Sequence, residues 1–267
     1  MRYLAVIIIL LIGTSCEKVV NIKLDTADKK YVVEGVLTNQ SGTCMVLLSQ
    51  TQDFDASNAF TGVSGAAIQI TEKDGATTQL TETSAGVYQA AGLTGTTGKT
   101  YTLSVTIKGQ TFLAASTMPA PVNMDSIFIT EDEAPGGKRN MANVQYNDPA
   151  GVANNYRFVQ YVNGEKEQEI FVRNDELTNG NLTVTKLRYP KNDDDEKDNS
   201  IKTGDLVKID MQCIDPVIYK YWYSLSRSAT GGGGNAATPA NPVTNMTGGA
   251  LGYFSAHTLQ TKTLTVR

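Results

Sequence analysis

Histidine is nearly absent from this sequence: one residue, His257, in 267. Any Ser/His/Asp or Cys/His catalytic arrangement must therefore run through that single imidazole. It follows "GYFSA" in a strand-like stretch near the C-terminus, where a half-exposed structural histidine is the expected role. Cysteine is almost as scarce, at three residues, and no CxxC pair or Cys/His cluster suggests zinc. An excess of basic residues is also missing. The 23 Lys and Arg face 27 Asp and Glu, for a net charge of -4, and an acidic chain has no electrostatic reason to bind nucleic acid. Finally, a spanning helix needs about 20 apolar residues, and the run "LAVIIILLI" at residues 4–12 is half that length.

What this short run does have is the anatomy of a targeting segment. Arg2 precedes it, Gly13, Thr14 and Ser15 follow it as the small residues a signal peptidase requires, and Cys16 comes next. A plain secretory signal gives the cysteine no special place. A lipoprotein signal puts it immediately after a small residue, where its thiol receives a diacylglycerol. Ile12 and Gly13 stand where leucine is commonest upstream, so the match is not to the strictest form of that signal. We read residues 1–15 as a lipoprotein signal peptide, Cys16 as the lipidated first residue of the mature chain, and residues 16–29 as a tether. Each acyl chain contributes roughly 0.8 kcal/mol per buried methylene, and more than one chain makes anchoring stable. The expected location is the outer membrane, on its periplasmic or cell-surface side, with a lean to the surface from Glu17.

Beyond the tether the pattern is all-β. In "TYTLSVTIKGQTFLAAS", residues 100–116, apolar and polar residues alternate as in a strand with one wet face, and Lys108 and Gly109 turn the chain into its partner. "AAIQITEKDGATTQLTET" reads as another hairpin, with Asp74 and Gly75 supplying the positive φ of a tight primed turn. With "KYVVEGVLT", "CMVLLSQ" and "GVYQA", residues 30–117 are expected to form an antiparallel sandwich of about seven strands. Its type would be immunoglobulin-like or transthyretin/carboxypeptidase-regulatory-like. "MPAPVNMDS" (residues 118–126) carries two prolines that cannot sit in a central strand, so we place a linker there. Residues 127–267 then form a second β-rich domain with one short helix. In "DPVIYKYWYSLSR", Asp215 is the expected cap and Pro216 the first helical residue, with Val217, Ile218, Tyr221, Trp222 and Leu225 on one face. Trp222, the only tryptophan, is expected to pack against the second sheet. Cys44 and Cys213 can form one disulfide in an oxidising compartment. Each sits in a strand-like apolar segment, one in each half, and two buried free thiols is the preferred reading.

The charge runs offer little chemistry. "KNDDDEKDNS" (residues 191–200) lacks the spacing and glycine of a calcium loop and reads as a solvated connection, as does "EDEAPGGKRN" at 131–140. "GGGGN" (residues 231–235) is followed by no Gly-Lys-Ser/Thr and reads as a flexible loop.

Several stretches together resemble a known family. "YVVEGVLTNQ", "VLLSQTQDFD", "VSGAAIQITEKDG", "GVYQAAGLTGTTGKTYTLSV", "STMPAPVNMDSI", "NDPAGVANNYRF" and "VTNMTGGALGYFSAHTLQTKTL" are similar to the Bacteroidota lipoprotein family catalogued as domain of unknown function 4249. The resemblance covers nearly the whole mature chain. It implies an outer-membrane lipoprotein commonly found beside TonB-dependent transporters, with no assigned catalytic residue; from the residues themselves we expect no cofactor and no metal. The implied lineage also makes Thr26 in "DTA" and Ser126 in "DSI" candidate O-glycosylation acceptors, both expected in linkers. Three functions follow in order: a non-enzymatic accessory partner of such a transporter in substrate capture or uptake; a stand-alone adhesion or structural module of the envelope; and, well behind, a hydrolase. In the first, loops 52–64, 131–143 and 228–248 would be the contact surfaces, because β-scaffolds present function on loops.

Overall fold

The computed structural model describes residues 28–52, 60–134, 137–187, 201–229 and 241–267. The alternation seen in the sequence becomes β1 (Tyr31–Thr38), β2 (Met45–Gln50), β3 (Ala67–Glu72), β4 (Thr77–Gln79), β5 (Thr81–Ser84), β6 (Val87–Gln89), β7 (Thr100–Ile107) and β8 (Gln110–Thr117). After the proline-rich connector come β9 (Met124–Ala134), β10 (Gly137–Asn147), β11 (Asn155–Val162), β12 (Glu165–Lys166), β13 (Phe171–Asn174), β14 (Leu182–Leu187) and β15 (Leu206–Cys213). Among the described residues, one helix, α1 (Pro216–Ala229), and a long final strand, β16 (Leu251–Thr265), follow. The all-β reading with one short helix holds.

The described strands form three sheets. The largest has nine strands, in the order β12-β11-β15-β16-β1-β2-β6-β5 with β13 on β11; the others run β4-β3-β7-β8 and β14-β10-β9. Side-chain alternation fixes the layers. Phe254 and Ala256 of β16 share a core with Val33 and Leu37 of β1 and with Ile68, Leu103 and Phe112 of the four-stranded sheet. Further along the same face of β16, Gln260 bonds the backbone of Val122 and Met124. There Met124, Val144 and Tyr146 of the three-stranded sheet pack on Tyr156, Phe158 and Met211. Tyr253, one residue out of phase, faces the other way and meets Ile218, Tyr221 and Trp222. The two small sheets therefore lie side by side on one face of the large sheet, and α1 lies on the opposite face.

β16 joins the halves. Its residues 251–257 run parallel to β1 and its residues 258–265 run antiparallel to β15. The linker at 118–126 separates the two small sheets along the chain, but residues 251–257, assigned from sequence to the second domain, complete the first. One ladder of the N-terminal sandwich is accordingly parallel, a departure from the antiparallel expectation. The edge of β16 away from β1 is served by side chains where β15 does not reach. The Asn245 amide donates to Phe254 O (2.8 Å) and accepts from Phe254 N (3.0 Å). Thr244 Oγ1 donates to Gly252 O (2.6 Å), and Ala256 N donates to Ser116 Oγ (3.0 Å).

Three local expectations are corrected. Lys108 (φ 46°) and Gly109 (φ 77°) form the expected two-residue turn, but in the other hairpin only Asp74 takes a positive φ (59°). That connection runs from Glu72 N–H to Ala76 O, a wider loop than a two-residue primed turn. Residues 131–140, expected as a polar connection, are strand except at 135–136, which lie outside the described residues. Acidic residues on β9 face basic ones on β10, as in the 2.8 Å Lys138–Glu131 pair, so a ladder with two wet faces shows no hydrophobic period. Val217, placed on the inner helix face from sequence, is 40% exposed, because it sits about 100° around the helix from Ile218.

Candidate functional site

The most distinctive chemistry lies under α1, and it starts with the helix cap. Asp215 Oδ1 accepts from Val217 N (2.8 Å) and Ile218 N (3.3 Å), as an N-cap should, with Pro216 in the first turn. Its Oδ2 accepts from Ser116 Oγ (3.1 Å) and Thr117 N (3.0 Å) of β8. One buried carboxylate thus starts the helix and ties it to the N-terminal sandwich. The helix then lays Tyr221 and Trp222 on Tyr253, with ring centroids 4.8 and 5.1 Å away.

β11 contributes Arg157 to this face. Its guanidinium carbon lies 3.7 Å from the Trp222 ring centroid, a cation–π contact. Nη1 donates to Gln212 Oε1 (3.0 Å), whereas the buried Nε has no hydrogen-bond partner. Arg157 lines a cavity of about 240 Å³ together with Val159, Trp222 and the segment 166–170. Burial lowers the pKa of Arg157 and of Lys166, the latter also pushed down by Arg157 itself. Burial raises the carboxyls of Glu167 and Glu169 above the usual range. Among the described residues, neither cation is ion-paired. A larger hollow of about 410 Å³ follows β14 beside Tyr146, Arg173 and Lys186. Its groups are already engaged: Lys186 pairs with Asp132, and the Tyr146 and Thr185 hydroxyls bond at 3.1 Å. The smaller cavity, lined by two cations without an ion-pair partner among the described residues, is the better candidate.

The sequence-derived candidates are scattered. Cys16 and Thr26 lie outside the described residues, as do 191–200 and 231–235. Ser126, expected in a linker, is half-buried within β9 and paired with Gln145. This corrects its placement, since the strand extends back to Met124. His257 is 3% exposed. Burial pushes its pKa down to about 3, leaving a neutral imidazole whose Nδ1 lies 2.9 Å from Ser255 Oγ. Cys44 and Cys213 are free, buried and in separate cores. Burial pushes the Cys44 thiol up to about 11. Among the described residues, no three metal-ligating side chains cluster, and no helix is long and apolar enough to cross a membrane. Arg157 was not singled out from sequence. In "NYRFVQY" it reads as a wet-face residue, and only the later helix covers that face.

No curated protein matches the chain. A family model does, over residues 17–263, which takes in every described strand and helix except the last two residues of β16. The chain belongs to the family described as Domain of unknown function (DUF4249).

Proposed function

We propose that this protein is a non-enzymatic outer-membrane lipoprotein, anchored through Cys16 and acting as an accessory partner of a TonB-dependent transporter in substrate capture or uptake. The observation that carries the reading is the order of the first residues: an apolar run, Gly13-Thr14-Ser15, Cys16, then a polar stretch before β1 begins at Tyr31. Residues 17–30 can span at most about 50 Å, so the folded part stays within reach of a membrane partner. Tethering replaces a three-dimensional search by a local one and raises the effective concentration. The burial of His257 argues against a hydrolytic mechanism that runs through that imidazole.

Cys16→Ser in the native host tests the anchor. The substituted protein is expected to move from the membrane to the soluble fraction with its melting temperature unchanged. Retention on the membrane to the same extent would show that Cys16 is not the anchor.

A further inference from the structure

We infer that the cavity between α1 and the segment 166–170 is a binding site for a small monocarboxylate with an apolar body. This inference stands apart from the membrane reading, since it rests on residues of the large sheet, the β12–β13 connection and the helix alone. Arg157 lines the cavity, and among the described residues its guanidinium has no ion pair and one hydrogen bond, to Gln212, so a carboxylate in the cavity would give it the charged acceptor it lacks. The guanidinium carbon lies 3.7 Å from the Trp222 ring centroid, and Gln212 accepts from Nη1. These two contacts hold the guanidinium in place, and its planar fork matches a carboxylate. Lys166 places a second cation on the same wall.

The rest of the lining narrows the ligand. Val159, Ile170 and the Trp222 ring provide apolar surface for a hydrocarbon body. Glu167 and Glu169 also line the cavity, and a dianion entering beside them would meet added negative charge. One negative charge balanced by two cations and limited by two acids suits a monocarboxylate better than phosphate. A volume of about 240 Å³ falls below the roughly 300–1,000 Å³ of pockets for drug-sized molecules, so the body is a few carbons long.

Trp222 is the only tryptophan and lines the cavity, so its fluorescence reports occupancy. The full chain in mild detergent is titrated with butyrate, butyramide and inorganic phosphate. The expected result is a saturable change with butyrate in the millimolar range, and binding at least about tenfold weaker for butyramide and phosphate. Arg157→Gln is expected to weaken butyrate binding by at least about tenfold. Because that variant removes a buried packing group, Ile170→Phe, which fills the apolar end, is measured beside it and is expected to weaken butyrate binding too. The comparison of butyrate with butyramide needs no variant. No saturable response, an equal response to butyramide or phosphate, or folded Arg157→Gln binding butyrate unchanged would each overturn the assignment.

Discussion

Gly252→Ala is expected to destabilise the protein by about 3 kcal/mol or more, from backbone strain plus a clash that cannot relax cheaply. Gly252 has φ 94°, and an added Cβ would lie 2.0 Å from the carbonyl oxygen of Val33. That oxygen belongs to β1, to which β16 is registered with Val33 opposite Gly252. Relief would mean moving backbone in the seam that closes the N-terminal sandwich. A loss of this size corresponds to a melting temperature roughly 6–12 °C lower for a chain of this length. Gly249 is the control: its φ is 91°, but an added Cβ meets nothing within 4 Å. Gly249→Ala should therefore cost only the conformational part, about 1 kcal/mol. Thermal melting of both variants separates strain from clash, and equal losses would remove Gly252 from the seam's defence.

Asp215→Ala should lower stability by about 2–4 kcal/mol, adding the loss of an N-cap to a buried hydroxyl left without its acceptor. The carboxylate serves both roles through different oxygens, Oδ1 to the helix and Oδ2 to Ser116 and Thr117. Asp215→Asn distinguishes them. Asparagine caps helices as well as aspartate, but it places an NH₂ where Oδ2 accepts. If the link to β8 matters, Asp215→Asn loses a large part of what Asp215→Ala loses. If only the cap matters, Asp215→Asn melts with the wild type. Ser116 continues the chain to Ala256 N, so Ser116→Ala and Asp215→Asn together should be non-additive.

These two positions show what the sequence could and could not reveal. The cap was legible because Asp-Pro before an apolar helical face is a local signal, and the Lys108-Gly109 turn was legible for the same reason. The second role of Asp215 was not, since its partner on β8 is distant in sequence. β16 makes the same point: "GYFSAHTLQTKTL" reads as strand, yet nothing local says that its first half runs parallel to β1 while its second half pairs with β15. Arg157 was illegible because alternation assigns it to a face away from the Phe158 core, and only α1 turns that face into an interior. The separate burial of Cys44 and Cys213 was readable, since each stood in its own apolar strand.

The functional account turns on a membrane partner. The most direct measurement is a mild-detergent pull-down of the tagged, lipidated protein from its native membranes, with mass spectrometry of what accompanies it. The account predicts a TonB-dependent transporter in stoichiometric amount, lost when Cys16→Ser abolishes anchoring. Recovery of the lipidated protein alone would contradict it and favour an adhesion or structural module of the envelope.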